Sequence, residues 1–269
     1  MNPKEMTPTY VHIDSFSFKR DSSVSLSLSN SHQINSVWVY YNDNPIGVYD
    51  LPATFPVNAT GSGKISVYPG VPVSGLNSFL ARYPFYAADT FTLTAQPGTI
   101  VAHKPVTHYF SNTRIYPQTS INFDFNITSF TRSDGTVDMG VTNDSTQVFE
   151  GLGSAIISLK APKDTLSESY CTIDFSIPAN TAAYIELNYK NTAPFYLGLR
   201  SNLSGGIVYK RYLSGIYPSD HWQKFYLAVK DFVAQYTGDT YTLFIKADLP
   251  AGQESGTVLL DNIQLVYFD

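Results

Sequence analysis

Groups that can ionise, coordinate or donate gather at a few places in this chain. The closing segment "TVLLDNIQLVYFD" sets a carboxylate and an amide, Asp261 and Asn262, inside an otherwise apolar strand. If that strand is regular, Leu259, Asp261, Ile263, Leu265 and Tyr267 share one face. The carboxylate then points inward and needs a partner, because burying it unpaired costs several kcal/mol. If a bulge falls at Asp261–Asn262, Val258 and Leu260 join Ile263, Leu265 and Tyr267 on the core face, and Asp261 can turn outward.

A second gathering lies in the segments "YKNTAPFY" (189–196), "LRSNLSGG" (199–206) and "KRYLSGIYPSDHW" (210–222). Arg200, Asn202, Arg211, Tyr212, Tyr217 and Asp220 bring rings and hydrogen-bonding groups toward strand ends there. Sugar binding requires that mixture, since C–H faces pack on aromatic rings while hydroxyls pair with Asn, Asp or Arg. Catalysis has thinner support. Glycoside hydrolysis uses two carboxylates roughly 5–10 Å apart, and Glu150 and Glu186 are the candidates, yet in "AAYIELNYK" a polar outward face accounts for Glu186.

The histidines His12, His32, His103, His108 and His221 form no zinc-type pair, and no Gly-x-Ser-x-Gly elbow is present. "GSGK" lacks the remaining phosphate-loop residues, having Asn58 and Ile65 where glycine and Ser/Thr belong; it reads as a hairpin turn with positive φ at Gly61 and Gly63. The single cysteine, Cys171 in "SYCTIDFSI", reads as a buried small hydrophobe. Trp38, between Val37 and Val39, also reads as buried, and Trp222 as packing.

The elements that hold these groups are strands. The chain is 43% hydrophobic and 14% charged, with 20 Tyr and 17 Phe but only five Glu, a bias toward pleated half-buried surfaces. Short runs such as "SVWVYY", "DTFTLTAQPG", "YTLFIKADL" and "VLLDNIQLVYF" recur between turn residues. "YYNDNPIGV" signals a hairpin through Asn and Asp, which tolerate left-handed backbone. The one helix candidate is "AVKDFVAQY", with Val229, Phe232, Val233 and Tyr236 on one face. A polar, turn-rich stretch at "SNTRIYPQTS" places a boundary between domains 1–118 and 119–269. The aromatic stretch "LNSFLARYPFY" (76–86), with Phe79, Tyr83, Phe85 and Tyr86, needs a cover, for which an interface between the domains is the simplest candidate. Net charge is near +1 over residues 1–118 and −6 over 119–269, which disfavours nucleic acid as a partner.

Residues 35–70, with "IGVYDLPATFPV" followed by "KISVYPG", resemble the small PEGA-type β-sandwich modules of bacterial envelope proteins. "VFEGLGSAIISL", "YIELNYKNTAPFYLGL", "HWQKFYLAV" and "GTVLLDNIQLVYF" resemble, in order and spacing, the β-jelly rolls of the galactose-binding and carbohydrate-binding-module superfamily. That resemblance implies a structural Ca²⁺ held by Asp261 with Asp124, Asp144 or Glu150, although "NFDFNIT" lacks the family's usual Phe-Glu dipeptide. The whole chain resembles lipid-anchored envelope proteins of Bacteroidetes-type bacteria, which implies a lipidated cysteine ahead of residue 1; the opening "MNPKEMTPTY" is polar and carries no signal-peptide core.

The expectation is therefore an all-β protein of two domains, an immunoglobulin-like β-sandwich followed by a β-jelly roll. Its expected role is non-catalytic recognition or adhesion at the cell envelope or outside the cell, with a glycan as ligand. The competing readings are a glycan hydrolase or lyase using carboxylates of the second domain, and a structural envelope component that binds a protein.

Overall fold

The computed structural model describes residues 7–19, 29–74, 76–206 and 208–268, with backbone alone at 76–80 and 119–120. Its regular secondary structure is almost entirely strand, and its contacts divide it into two compact units, one built mainly from residues up to Ser111 and one mainly from Asn112 onward.

The first unit contains β1 (Thr9–Ile13), β2 (Ser17–Phe18), β3 (Ser36–Tyr41), β4 (Asn44–Asp50), β5 (Ala53–Val57), β6 (Ser62–Val73), β7 (Leu76–Arg82), β8 (Asp89–Thr94), β9 (Ile100–Ala102) and β10 (Val106–Thr107). One sheet has the order β5-β1-β9, and facing it β4, β3 and β6 pair in sequence with β8 on β6. Alternation supplies the core between them: Val11 and Ile13 of β1, Val37 and Val39 of β3, Phe55 and Val57 of β5, Ile65 and Val67 of β6, and Leu93 of β8. Trp38 therefore lies on the face opposite Val37 and Val39 and is only half-buried, which corrects the expectation of a core tryptophan.

The β3–β4 hairpin turns on Asn42 (φ 48°) and Asp43 (φ 65°), two left-handed residues as a two-residue hairpin demands. The "GSGK" turn is not a hairpin, because β5 pairs with β1 whereas β6 pairs with β3 and β8; the chain changes sheets there. Gly61 has φ +77° as expected, but Gly63 is needed for a different reason, since a Cβ there would run into the Tyr41 ring. Tyr83, Phe85 and Tyr86 are buried, the Tyr83 ring meeting each of the other two edge to face, and Phe18 and Tyr109 pack on Tyr86. Phe79 of the same stretch lies outside the described side chains.

The second unit contains β11 (Thr113–Ile121), β12 (Phe130–Gly135), β13 (Gly140–Thr142), β14 (Ser154–Lys160), β15 (Leu166–Cys171), β16 (Ala183–Asn191), β17 (Phe195–Asn202), β18 (Val208–Ile216), β19 (Ser219–Ala228), a short helix α1 (Lys230–Gln235), β20 (Thr240–Asp248) and β21 (Ser255–Phe268). Two antiparallel sheets result. One has the order β13-β14-β21-β16-β19, with β11 also on β21; the other has the order β12-β15-β20-β17-β18. The chain crosses between them at most connections, from β14 to β15 to β16 to β17 and again from β18 to β19 to β20 to β21, which is the winding of a jelly roll.

β11 spans the boundary expected at 118/119, pairing with β21 over Thr113–Tyr116 and again at Ile121 across an irregularity, whereas the contacts of the chain divide at Ser111/Asn112. Composition alone read that strand as a linker. Leu197, Leu199, Leu243, Ile245, Ile185, Leu187, Val258 and Leu260 fill the space between the sheets, and α1 adds Phe232 and Val233. Cys171 is part of this core, and burial pushes its thiol up to about 11, so it is inert at neutral pH.

Candidate functional site

Strand β21 settles the phase of the Asp-Asn pair. Glu186 pairs with Gln264 and Asn188 with Asp261, so one extra residue bulges from β21, and Asn262 there adopts φ 50°. Val258, Leu260, Ile263 and Leu265 consequently all face the core. Asp261 nevertheless stays fully buried rather than reaching solvent. Ser154 Oγ donates to its Oδ2 at 2.6 Å, and the Asn262 backbone N–H donates to its Oδ1 at 2.7 Å. The carboxylate thus caps its own bulge, and burial, reinforced by the charges of Glu150 and Asp124, pushes its pKa up to about 7.

Asp124 and Glu150, expected with Asp261 as calcium ligands, each hold hydrogen-bond donors. The Leu152 N–H donates to Asp124 Oδ1 at 2.6 Å and Asn122 Nδ2 to Asp124 Oδ2 at 2.7 Å, while Asn262 Nδ2 donates to Glu150 Oε1 at 2.6 Å. Asp144 closes its own turn, accepting from the Thr146 N–H at 2.9 Å. Calcium needs six to eight converging oxygens. Among the described residues no group of three or more His, Cys, Asp or Glu is arranged to hold a metal ion. The donor set as arranged therefore does not fit the ion. Adding EDTA, or calcium at millimolar concentration, is expected to leave the melting temperature unchanged; a calcium-dependent rise of more than about 5 °C in thermal denaturation would reinstate the calcium expectation.

The outward face of the sheet β12-β15-β20-β17-β18 is chemically denser. Because β17 buries Phe195, Leu197 and Leu199, its other face presents Tyr196, Gly198, Arg200 and Asn202. Register extends these into cross-strand rows: Arg200 lies between Lys210 and Thr242, and Gly198 between Tyr212 and Phe244, with Tyr170 beyond Phe244. Glu168 of β15 anchors the centre. Its carboxylate accepts from Ser133 Oγ at 2.7 Å, Lys210 Nζ at 2.5 Å and Tyr212 Oη at 2.5 Å. Burial raises its pKa, but these hydrogen bonds outweigh that and hold the carboxyl below its ordinary value. Tyr212 responds oppositely: burial and its bond to Glu168 keep the phenol protonated far above neutral pH. Lys210 Nζ lies 4.6 Å over the Phe244 ring, and the Tyr212 ring meets Phe244 edge-on at 4.9 Å.

Beside this anchor sits a second polar array. Arg200 Nε donates to Asn202 Oδ1 at 3.0 Å, Asn202 Nδ2 to Thr242 Oγ1 at 2.8 Å, and Thr242 Oγ1 to Asp174 Oδ1 at 2.6 Å. The Arg200 guanidinium also lies 5.1 Å from the centre of the Tyr170 ring. Two rings stay open to solvent on the same face, Tyr196 (39% exposed) and Tyr212 (43% exposed), with centroids 5.9 Å apart.

Of the six residues singled out from sequence, Arg200, Asn202 and Tyr212 share this face. Arg211 alternates to the other side of β18, and its Nη1 donates to Gln235 Oε1 at 3.4 Å. Tyr217, 86% exposed, follows the end of β18 that pairs with Phe195. Five strand residues separate that end from Arg200, roughly 17 Å. Asp220 is fully solvated and accepts from His221 Nδ1 at 2.7 Å, one strand further along the chain. Tyr196 closes one of the segments picked out from sequence, but Glu168, Tyr170, Thr242 and Phe244 were not singled out; their signal is alternation within strands already recognised, legible only once the neighbouring strands are known. Glu186, the catalytic candidate, is buried in an ion pair with Lys224 at 2.6 Å, and Trp222 is half-buried with its ring tilted against Phe149 at 5.1 Å.

No family model matches the chain, and no curated protein matches it. Among solved structures it is similar to a carbohydrate-binding module of the β-sandwich superfamily described for promiscuous specificity, at 14% identity and a TM-score of 0.41 over 85% of this chain and 83% of that one. It is similar also to the CBM22-1 xylan-binding domain of Paenibacillus barcinonensis Xyn10C, at 15% identity and a TM-score of 0.38 over 54% of this chain and 92% of that one. A third is the enzymatically active domain of tailspike protein 4 from bacteriophage CBA120, at 13% identity and a TM-score of 0.42; the match takes in 54% of this chain but only 20% of the tailspike.

Proposed function

We propose that the outward face of the sheet β12-β15-β20-β17-β18 binds a neutral glycan chain without cleaving it. The observation that carries this reading is the coincidence, on one face, of two exposed tyrosine rings with amide, guanidinium and hydroxyl groups already held in place by hydrogen bonds. Rings offer the C–H faces of a sugar a stacking surface, and preorganised polar groups meet its hydroxyls at little cost in side-chain entropy. A neutral ligand is favoured because the charges of the face balance: Lys210 pairs with Glu168, Lys246 with Asp248 and Arg132 with Asp138, while the Arg200 guanidinium is joined to the Asp174 carboxylate through Asn202 and Thr242. Glu168 is occupied by three donors and held ionised, the opposite of what a general acid needs at neutral pH.

A glycan array followed by calorimetry with the best neutral ligand tests the reading. Tyr212→Ala is expected to weaken binding about tenfold, because an aromatic anchor contributes more than about 1 kcal/mol. Raising NaCl from about 50 to about 500 mM is expected to change affinity less than twofold, since no net charge is screened. Binding to no glycan at all would overturn the proposal; a strong fall with salt would overturn the neutral class. The wider role we propose is recognition or adhesion at the cell envelope through a lipid anchor. It is supported by the resemblance of the chain to envelope proteins and is tested by fatty-acid labelling of the gene product in its host.

A further inference from the structure

We propose that the first unit carries a small-sugar site of its own, independent of the face described above. A cavity of about 300 Å³ opens where the edge strands of its two sheets, β4 and β5, approach one another, lined among others by Tyr41, Asn42, Asn44, Pro45, Pro56 and Asn58. That volume is at the lower end for small-molecule sites, enough for one or two sugar rings. No charged side chain lines it; the neighbouring charges, Lys64 and Asp43, pair with one another at 2.7 Å. An ionised ligand would find no counter-charge, so the ligand class is neutral.

The lining is preorganised, and part of its hydrogen-bonding capacity is open. Asn42 is locked: its Oδ1 accepts from the Lys64 N–H at 2.8 Å, and its own N–H donates to the Lys64 carbonyl at 2.8 Å, leaving its amide NH₂ for a ligand. Asn44 Nδ2 donates to the Asn42 carbonyl at 3.1 Å, leaving its Oδ1. Asn58 is exposed, and among the described residues its side chain has no partner. The Tyr41 ring is seated by Gly63, where any side chain would collide with it, and with Pro45 and Pro56 it makes an apolar surface. Apolar ring faces beside uncharged donors and acceptors match a sugar, which presents C–H on its faces and hydroxyls at its edge. A peptide adding as a strand fits less well, because proline at Pro45 and Pro56 removes an N–H from each edge at this point.

The test uses the full chain, isotope-labelled, titrated with glucose, galactose, mannose, xylose and N-acetylglucosamine to about 50 mM, a range that covers millimolar dissociation constants. Side-chain amide signals of Asn42, Asn44 and Asn58 report this cavity, and that of Asn202 reports the other face, so failure of either site is read separately. At least one sugar is expected to shift the cavity amides saturably. Asn58→Ala is expected to weaken that response about threefold or more, and Ile46→Trp, which fills the cavity, to abolish it. Absence of any shift at the three amides, a response unaltered by both variants, or a response to a proline-rich peptide but to no sugar would each overturn the proposal.

Discussion

Asp261→Asn is expected to stabilise the protein above pH 7 and to leave its stability near pH 4 unchanged. Asp261 is buried, and its folded pKa is about 7 against an ordinary value of 3.8, so the folded state binds a proton that the unfolded chain has released. Where the folded state binds more protons, stability falls as pH rises. The loss begins near pH 4, as the unfolded carboxyl ionises, and is complete near pH 7, as the folded one does. At about 1.4 kcal/mol per pH unit the span sets a ceiling of about 4 kcal/mol, and relaxation around the site makes about 2–4 kcal/mol the expected gain.

Asparagine keeps the shape. Its amide can donate to Ser154 Oγ and its oxygen can still accept from the Asn262 N–H, while repulsion from Glu150 and Asp124 disappears. Thermal melts of both proteins from pH 4 to pH 8 check this; the expected difference above pH 7 is roughly 5–10 °C. Glu168 acts with the opposite sign, its stabilisation being present above its unfolded value and lost as pH falls through the folded one, but that contribution is common to both proteins and cancels in the difference. Loss of stability in Asp261→Asn at pH 8 would show that the carboxylate charge is needed and would defeat the account of the bulge.

Gly198→Ala is expected to cost about 2–3 kcal/mol, roughly 5–10 °C in melting temperature, and to abolish glycan binding at the outward face. A Cβ at Gly198 would overlap the tip of the Phe244 ring and come within 2.5 Å of the Arg211 carbonyl oxygen. The ring could rotate away, but the carbonyl belongs to the backbone of β18, so β17 and β18 must separate. Either movement disturbs Tyr212 and Lys210, which rest on Phe244 and carry the bonds to Glu168. Gly205→Ala is the control, since nothing lies within 4 Å of the added carbon there. An unchanged melting temperature for Gly198→Ala would show that β17, β18 and β20 are not packed as described.

Much of this architecture was legible in the order of residues. Period-two alternation marked the strands, and the aromatic and β-branched bias excluded a helical protein. Asn-Asp at 42–43 announced its hairpin through a backbone conformation few residues adopt cheaply. Errors arose where local chemistry admits two answers. Trp38 and Val39 alternate equally well in either phase, and only the facing sheet determines which is inside. "SNTRIYPQTS" is polar and turn-rich, and the contacts of the chain do divide at its start, at Ser111/Asn112, yet from Thr113 onward its backbone joins β21, so the cut at 118/119 falls inside a strand.

The candidate glycan face shows the same division more sharply. Arg200, Asn202 and Tyr212 could be recognised from residue type, because rings beside amides and cations suit hydroxylated ligands. Glu168, which organises them, comes from a strand more than thirty residues earlier and is joined to Lys210 and Tyr212 by sheet order alone. At the Asp-Asn pair the sequence by itself determined that the choice lay between a regular strand and a bulge, since a two-residue period permits nothing else. The tertiary structure decided for the bulge and, against the simpler expectation, kept Asp261 inside, because Ser154 on the adjoining strand supplies the hydrogen bond that makes burial of a carboxyl tolerable.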